Sequence, residues 1–352
     1  MTRHNIFTFG VVALLLSACN KPEEAPKPPE KPAATYHIYV TNEGSNNVSV
    51  IDPTTNEVTA TVNVGKRPRG VHGSTDGKTL YVALSGSVAS PPGSDETKKP
   101  PADRNADGIG LFDIAQNKMV KIISGGQDPE EFSLSLDGSL MYVSNEESAT
   151  VTIIEIASSR ILGAVKVGEE PEGVTTSPDG KFVWVTSEDG GNVSVIDTAT
   201  RKVVKTIKIG PRPRKVAFLP DGSKAYVTRE NDGKVSVVDT AKLVVTAQIE
   251  LGTNADMIKP MGAVVSPDGS KIYVSTGRGK KVFVIDTATN KIDASFEVGD
   301  RPWGIGLSPD GKLLYTANGP SNDVSVVDLA TNTVIKKVKV GERPWGIAVV
   351  AH

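Results

Sequence analysis

The chain has one cysteine, so no disulfide can form within it, and a small secreted domain held together by disulfides is excluded. Its 39 basic and 41 acidic residues nearly cancel, which argues against a nucleic-acid protein that binds by bulk positive charge. Aromatic residues make up 5% of the chain, and no helical spacing of apolar residues persists after residue 20. Together with 34 glycines, these scarcities favour short strands and tight turns over helices.

What the sequence does contain is a repeat of about forty residues along most of its length. Each copy has a proline followed two residues later by glycine or a substitute, at Pro68, Pro129, Pro171, Pro213, Pro260, Pro302 and Pro344. Four of the six spacings are 42 residues, and the other two, 61 after Pro68 and 47 after Pro213, indicate insertions. A fixed period of this size predicts one supersecondary unit that is stacked many times.

One repeat, from Pro171 to Gly210, predicts four short strands joined by turns. Its first tight turn is Pro178-Asp179-Gly180. The strands are predicted at residues 173–177, 182–186, 193–196 and 203–209. A single four-stranded sheet cannot bury both of its faces, whereas a ring of such sheets can, because each sheet packs on the next. The repeat therefore predicts a β-propeller.

The number of blades follows from counting the repeated features. Seven prolines begin inner strands and seven glycines end outer strands, yet only six Asp-Gly turns follow an inner strand. The missing turn is where the chain ends, so residues 344–350 are expected to pair with residues 37–41. We therefore predict an all-β, seven-bladed propeller of four-stranded antiparallel blades over residues 36–352. The C-terminal strand closes its ring in blade 1, and blade 2 carries an insertion at about residues 86–108.

The first 35 residues are excluded from this fold. A signal segment is predicted at the start of the chain from Arg3, an apolar run over residues 6–16 and the sequence Leu16-Ser17-Ala18-Cys19. The apolar run is too short to span a bilayer comfortably. The sequence Leu16-Ser17-Ala18-Cys19 resembles the bacterial lipobox. This resemblance implies a lipoprotein signal peptide at residues 1–18 and lipidation of Cys19. The alternative is an ordinary secretory signal with an unrelated cysteine. By the same resemblance, Asn20 favours the outer membrane of the cell envelope, facing either the periplasm or the cell surface. Residues 19–35 would form a proline-rich tether to the lipid.

Short motifs within the repeat resemble the YVTN family of β-propeller repeats. The matching segments are the second strands and the Val-Ser-Val-Ile-Asp-Thr-Ala-Thr stretches that follow them, with second strands at Tyr39-Val-Thr-Asn42, Tyr142-Val-Ser-Asn145, Tyr226-Val-Thr228 and Tyr315-Thr-Ala-Asn318. The resemblance covers residues 36–350. It implies extracytoplasmic binding and surface proteins of diverse roles, together with some quinone- or haem-associated relatives.

The loops of such a propeller alternate between two rims. The loops that enter inner strands share what we call the first rim with the loops that join second and third strands. The remaining turns form the second rim, and they are nearly uniform in sequence. Because the variation and both insertions fall on the first rim, we predict that it is the functional face.

Charge on the first rim is predicted to be divided between two arcs. The basic arc comprises Arg67, Arg69, Arg212, Arg214, Lys215, Lys259, Arg301 and Arg343. The acidic arc comprises Asp128, Glu130, Glu131, Glu169, Glu170 and Glu172. Trp303 and Trp345 lie within the basic arc, and guanidinium groups beside aromatic faces bind carboxylates, phosphates and planar anions well. The alternative is that these arginines only bond loop carbonyls and the tryptophans only fill gaps between blades.

Two further features of the sequence have a possible chemical role. Asp103, Asn105 and Asp107 precede Gly108 at the alternate spacing of a calcium loop, although Ile114 replaces the final glutamate of an EF-hand, so the alternative is a polar turn. Of the four histidines, only His72, on an inner strand, is expected to line the channel. No second histidine or cysteine completes a zinc site with it, and a lone histidine on a strand is more often structural.

The main functional hypothesis is a non-catalytic scaffold on the outer membrane that binds a small anionic ligand or a partner protein at its Arg/Trp mouth, as a monomer. The alternative is a propeller enzyme or cofactor-binding accessory protein, either lactonase-like or quinone- or haem-associated, with His72 as base or axial ligand and Glu131 and Glu172 as acids. Single-stranded nucleic acid stacked on the tryptophans is a third, weaker hypothesis.

Overall fold

A computed structural model describes residues 1–2, 35–88, 100–253 and 256–351. The predicted signal peptide at residues 1–18, Cys19 and the tether up to residue 35 lie almost wholly outside these ranges, as do residues 89–99 of the insertion. Among the described residues, no helix is long and apolar enough to cross a membrane.

The described chain after residue 35 is built from 28 strands, four in each of seven sheets. The inner strands begin at the repeated prolines: β4 (Pro68–Gly73), β8 (Pro129–Leu134), β12 (Pro171–Thr176), β16 (Pro213–Phe218), β20 (Pro260–Val265), β24 (Pro302–Leu307) and β28 (Pro344–Ala351). The second strands are β1 (Tyr36–Asn42), β5 (Thr79–Leu84), β9 (Leu140–Asn145), β13 (Phe182–Ser187), β17 (Lys224–Arg229), β21 (Lys271–Thr276) and β25 (Leu313–Asn318).

The third strands are β2 (Asn47–Asp52), β6 (Gly108–Asp113), β10 (Thr150–Glu155), β14 (Asn192–Asp197), β18 (Lys234–Asp239), β22 (Lys281–Asp286) and β26 (Asp323–Asp328). The outer strands are β3 (Glu57–Asn63), β7 (Lys118–Ile123), β11 (Arg160–Lys166), β15 (Lys202–Lys208), β19 (Val244–Glu250), β23 (Lys291–Glu297) and β27 (Thr333–Lys339). In the loop between β5 and β6, a 3-10 turn spans Arg104–Ala106.

The predicted fold is confirmed, including the closure of the ring. Blade 1 has the strand order β28-β1-β2-β3, so the last strand of the chain lies beside the first. Ile38 pairs with Val349 and Tyr39 with Ala348 in the antiparallel ladder between them. The hydroxyl groups of Tyr36 and Tyr315 lie 2.8 Å apart and join blade 1 to blade 7. Backbone hydrogen bonds and side chains therefore both hold the two ends of the ring together.

Apolar side chains pack between neighbouring blades. Between blades 4 and 5, for example, Trp184 is buried with Val216 and Val227, and its ring meets that of Phe218 edge-on at 5.1 Å. Complete burial of a large apolar side chain of this kind contributes about 1.5–3 kcal/mol. Because every blade packs on two others, the ring supplies the covered faces that a single sheet lacks.

Each blade has a β-bulge in its inner strand, next to the first rim. Pro171 pairs with Ser187, but the next pair is Val174 with Val185, so two residues of the inner strand oppose one of the second strand. The same shift occurs in the other six blades. A bulge redirects the side chains it contains. The two residues after each repeated proline are therefore free to line the mouth and the channel of the propeller.

Candidate functional site

The residues that directly follow the seven repeated prolines line one cavity of about 1170 Å³ on the first rim, which we call the vestibule. They are Arg69, Glu130, Glu172, Arg214, Met261, Trp303 and Trp345. With the surrounding loops, they bring eleven acidic and nine basic residues to its wall. Since these charges almost balance, local pairing decides which of them remain available to a ligand.

Arg69 is buried among carboxylates on one side of the vestibule. Its guanidinium forms a close ion pair with Glu130 and lies 3.5 Å from Oε1 of Glu43 and 3.8 Å from Oε2 of Glu146. Arg67 donates to the same Glu43 oxygen at 3.0 Å. Both arginines of this loop are therefore occupied by protein carboxylates, and a ligand-binding role for them stays a prediction.

Arg214 forms the corresponding cluster on the other side of the vestibule. It makes close ion pairs with Glu172 and Glu188, and its Nη2 lies 2.5 Å from Oε2 of Glu230. Arg212 bridges two of the same carboxylates, at 2.5 Å from Glu188 and 3.1 Å from Glu230. With its side chain only 9% exposed, Arg214 serves as the central charge of a buried network.

These two clusters change the predicted division into a basic and an acidic arc. Arg69 of blade 2 pairs with Glu130 of blade 3, and Arg214 of blade 5 pairs with Glu172 of blade 4. The arcs are thus joined by ion pairs at both of their boundaries. What remains of the basic arc is its middle, in blades 6, 7 and 1.

Glutamates that the sequence reasoning missed explain which arginines are paired. The residue directly after the second strand is Glu43, Glu146, Glu188 or Glu230 in blades 1, 3, 4 and 5, but it is Gly277 and Gly319 in blades 6 and 7. Arg301 lies on the loop between β23 and β24, and its carbonyl oxygen accepts a hydrogen bond from the Gly319 amide at 3.3 Å. Within the described ranges, Arg301 has no carboxylate in salt-bridge distance. A glutamate recurring at one position of the repeat was the signal that could have revealed the pairing.

Arg301 instead lies against an aromatic pair. Its Cζ is 4.8 Å from the centroid of the Trp303 ring, and the Trp303 and Trp345 rings are 5.6 Å apart. Burial lowers the pKa of Arg301. The negative charge of Glu230 opposes this effect, and the positive charges of Arg214, Arg278 and Arg343 reinforce it. Arg343 is half exposed, with Glu43 at 3.7 Å. This is the part of the vestibule in which an anionic group would find positive charge that is not already neutralised.

Below the vestibule lies an inner cavity of about 230 Å³ that contains a cluster of three side chains. His72 Nε2 lies 2.9 Å from Oε1 of Glu131, and Lys215 Nζ lies 3.3 Å from Oε2 of the same carboxylate. The three residues come from β4, β8 and β16, so the propeller ring brings together groups that are up to 143 residues apart in sequence. The edge of the Phe132 ring packs on the imidazole of His72 at 4.9 Å.

The carboxylate of Glu131 is ionised at neutral pH. Burial alone would raise its pKa, but the positive charges of Lys215 and His72, and hydrogen bonds from His72 and the Phe132 amide, outweigh burial and lower the pKa of Glu131 to about 2. A carboxylate accepts hydrogen bonds only, so Nε2 of His72 carries the proton toward it. The Nδ1 atom of a neutral His72 is then left with its lone pair.

A sequence signal for this cluster exists at the second position after the repeated prolines. Five repeats have glycine there, whereas Glu131 and Lys215 are the two substitutions. The sequence reasoning assigned both residues to the charged arcs, although it also considered Glu131 as an acid beside His72. It missed that both side chains point into the channel, where a glycine elsewhere in the ring leaves space.

The vestibule and the inner cavity meet at a neck. Five side chains line both cavities, and they are Glu172, Arg214, Met261, Trp303 and Trp345. Arg214 also lies 5.2 Å from the centroid of the Trp303 ring, so the ion-pair cluster and the aromatic pair are in contact. A ligand that enters from the first rim must therefore pass the tryptophans before it reaches His72.

The residues of the predicted calcium loop bond to protein groups. Asp103 pairs with Lys66 at 2.7 Å. Asp107 accepts hydrogen bonds from the backbone amides of Gly86 and Asp128 and from Arg104. Asn105 donates its backbone amide to Asp103 at 3.3 Å. A calcium ion would compete with these donors, and calcium binding here stays a prediction.

A second group of carboxylates lies on the vestibule wall. Oxygens of Asp128, Glu130 and Glu146 lie within 4.8 Å of one another. Burial raises the pKa of the neighbouring Glu170, and the carboxylates of Asp189 and Glu146 raise it further. Because the Glu130 carboxylate is held by Arg69, this group already has a cationic partner from the protein.

Several solved structures share this fold. The periplasmic gluconolactonase PpgL of Pseudomonas aeruginosa matches with a TM-score of 0.72 and 21% identity, over 90% of this chain and 99% of that one. A candidate 6-phosphogluconolactonase of Bacteroides fragilis matches with a TM-score of 0.72 and 18% identity, over 91% and 99%. The hydrazine synthase of Kuenenia stuttgartiensis gives 0.67 and 22%, over 80% and 89%. Among curated proteins, PE_PGRS18 of Mycobacterium tuberculosis is 63% identical over 35 residues, which is 10% of this chain and 8% of that protein.

A family model described as "Lactonase, 7-bladed beta-propeller" matches residues 30–166 and 174–339, which is most of the chain. This match indicates an enzyme, so the hypothesis of a non-catalytic scaffold is wrong, and its lactonase-like alternative is favoured. The chain belongs to the seven-bladed β-propeller lactonase family.

Proposed function

We propose that the protein is a lactonase that hydrolyses a small anionic lactone in the inner cavity. The observation that carries this proposal is the cluster at the base of the neck, in which Glu131 holds His72 at 2.9 Å and Lys215 at 3.3 Å. A carboxylate, an imidazole and an ammonium group are the residue types that acyl transfer to water requires.

His72 is the general base of this reaction. Glu131 fixes its ring through Nε2, so Nδ1 accepts a proton from a water molecule as the water oxygen attacks the lactone carbonyl carbon. The bond between the carbonyl carbon and the ring oxygen then breaks. The proton returns from His72 to the ring oxygen, which becomes a hydroxyl group, and the product is an open-chain hydroxy acid.

Lys215 stabilises the negative charge that develops on the carbonyl oxygen. Its ammonium group lies on the channel wall, with its side chain 27% exposed, and bonds to only one oxygen of Glu131. It therefore retains donors for a second acceptor. An oriented cation of this kind lowers the barrier by more in a site that excludes water than it would in bulk solvent.

Arg301, assisted by Arg343, binds the anionic group of the substrate, and Trp303 and Trp345 pack against its ring. Support comes from Gly277 and Gly319, which stand where four other blades carry glutamate, since among the described residues no carboxylate lies in salt-bridge distance of the Arg301 guanidinium. A carboxylate or phosphate group can accept two parallel hydrogen bonds from one guanidinium group. The remaining predicted arginines, which are ion-paired, then maintain the shape of the vestibule.

The test is a lactone hydrolysis assay on the full-length chain in detergent, with proton release from glucono-1,5-lactone and its 6-phosphate followed above the spontaneous rate. We expect His72→Ala to lower kcat by about 100-fold to 10,000-fold, the usual contribution of a general base. The matched control is Ser133→Ala, at the same position of the neighbouring repeat, which should retain activity. Wild-type protein without activity above the spontaneous rate, or full activity in His72→Ala, would contradict the proposal.

We also propose that the chain is a YVTN-type lipoprotein anchored in the outer membrane through Cys19. This rests on the Leu-Ser-Ala-Cys motif and on the YVTN segments of the repeat. Cells grown with a clickable palmitate analogue should incorporate it into wild-type protein but not into the Cys19→Ala variant. Label in the variant, or none in wild type, would contradict lipidation.

A further inference from the structure

A third cavity, of about 440 Å³, lies on the second rim directly beneath His72, and we call it the lower pocket. Val71, His72 and Ile347 line both this pocket and the inner cavity. The side chain of His72 is 37% exposed although its Nε2 bonds to Glu131. The imidazole therefore lies at the junction of two cavities that open on opposite rims.

One departure from the repeat lies on the wall of the lower pocket, next to His72. The fifth residue after the repeated proline has a side chain in six blades, as Leu134, Thr176, Phe218, Val265, Leu307 and Val349. In blade 2 it is Gly73, the residue next to His72. A Cβ atom at Gly73 would lie 2.7 Å from Cγ2 of Val350, so a side chain there would force a rearrangement. Gly73 thus allows Val350 of the C-terminal strand to pack directly beside the strand that carries His72, on the wall of the lower pocket.

The two openings differ in chemistry. Twenty charged residues line the vestibule. The lower pocket is lined by backbone and by small or apolar side chains, and His72 is the one titratable group among the described residues on its wall. An anionic substrate can bind Arg301 and Arg343 in the vestibule, whereas the described wall of the lower pocket has no cation for it, so its charge would lose hydration there without a partner. A water molecule is uncharged, so it can enter the lower pocket without losing the hydration of a charge.

We infer that the catalytic site has two entrances, and that the hydrolytic water reaches His72 through the lower pocket while the lactone enters through the vestibule. This inference rests on the proposed lactonase activity. A lactone that presents its carbonyl to His72 from above occupies the neck between Trp303 and Arg214, so it blocks the path of water from the vestibule. The lower pocket leaves a path open while the substrate is bound.

The experiment closes the lower pocket from outside. Thr75 and Ala351 are exposed and lie on its wall, so the double variant Thr75→Trp/Ala351→Trp narrows the opening without touching the core. The matched control is Leu136→Trp, at the equivalent turn position of blade 3, outside the pocket. Two quantities are measured on the full-length protein: kcat and KM for glucono-1,5-lactone, and the rate at which diethylpyrocarbonate acylates His72, read by peptide mass spectrometry.

We expect the double variant to lose about tenfold or more in kcat at little change in KM, as gating of a step after binding requires, and to acylate His72 more slowly than wild type. The control should match wild type in both. A wild-type kcat in the double variant overturns the inference, whatever the acylation rate. If wild type shows no lactonase activity, the proposed function fails by itself. Acylation then decides alone whether the lower pocket gives access to His72, and an unchanged rate overturns that part too.

Discussion

The two rims of this propeller are built from the same seven repeats, yet they have diverged to very different extents. On the second rim, the hydroxyl groups of Ser135, Ser177 and Ser266 each donate to the aspartate two residues later, at 2.5–2.6 Å. The glycine after each of these aspartates has φ between 68° and 72°, a left-handed conformation that glycine adopts without strain. On the first rim, the equivalent loops carry arginine, glutamate, methionine or tryptophan at one position. The second rim keeps the same turn in most repeats because its role is to reverse the chain direction. The first rim differs from repeat to repeat because it carries the residues of the candidate site.

The largest effect is expected when the buried network of the first rim loses its central charge. Arg214→Met leaves Glu172, Glu188 and Glu230 close together with Arg212 as their remaining partner. Removing one partner of a buried ion pair costs about 3–5 kcal/mol. Urea unfolding followed by circular dichroism should show this loss.

The matched change on the second rim is Arg160→Met. The side chain of Arg160 is 67% exposed and lies 3.5 Å from Glu155. An exposed pair of this kind contributes about 0–1 kcal/mol. Equal losses of unfolding free energy in the two variants would show that ion pairs on the two rims stabilise the fold equally.

The second prediction concerns the inner cavity. Lys215→Met removes the cation that we assign to the carbonyl oxygen, and loss of one such donor lowers kcat by about 100-fold to 1,000-fold. Lys312→Met, on the second rim, removes a side chain that is 81% exposed and should leave kcat unchanged. Initial rates at saturating lactone distinguish the two outcomes, and equal kcat values in both variants would remove Lys215 from the mechanism.

The third prediction is a difference in acid stability. The folded pKa of Glu131 is about 2, below its ordinary value of 4.5, so its ionisation stabilises the fold above pH 4.5, and this contribution is lost as the pH falls toward 2. Glu131→Gln should therefore flatten the dependence of the unfolding free energy on pH over that window. Urea midpoints at several pH values between 2 and 5 measure the slope.

The comparison residue on the second rim is Asp137. Hydrogen bonds from Ser135 and Ser139 also lower its pKa to about 2, but its carboxylate is exposed to water. Solvent screening makes its contribution to stability small. Asp137→Asn should flatten the slope less than Glu131→Gln does, and the reverse order would contradict the assignment of Glu131 as the buried charge.

The smallest effect is expected in a turn of the second rim. Ser177→Ala removes the hydrogen bond to Asp179 and one from the Phe182 amide, at a cost of about 1 kcal/mol. The repeat already tolerates this loss, because blade 5 has Leu219 at the equivalent position. Thermal unfolding should show the change while kcat and KM stay at wild-type values. A change in KM would mean that the second rim contacts the substrate.

The fold could be predicted from the sequence because it depends on period and count. The spacing of the prolines set the size of the blade, and the missing Asp-Gly turn predicted the pairing of β28 with β1, which the ladder from Ile38 to Val349 confirms. The site could be predicted only in part. Positions on the first rim followed from the repeat, but ion pairing did not, because Arg214 and Glu172 meet across blades that lie 42 residues apart.

The cluster in the inner cavity shows why such sites are hard to find from composition alone. Counting histidines led to His72, and Glu131 was considered beside it only as one of two acids in the alternative hypothesis. The sequence did not place Lys215 there, because it lies 84 residues beyond Glu131, which is itself 59 residues from His72. Aligning the repeats against each other exposes both as substitutions of a glycine. In a ring, such a substitution points toward the axis, where the other six blades also converge.

The most direct test of the account is a crystal structure of the protein with a six-membered lactam, which resembles the lactone but resists hydrolysis. We predict that the lactam ring lies in the neck against Trp303, with its carbonyl oxygen toward Lys215 and its carbonyl carbon facing His72. A lactam bound on the second rim, or one held in the vestibule with His72 and Lys215 out of reach, would contradict the assignment of the inner cavity as the catalytic site.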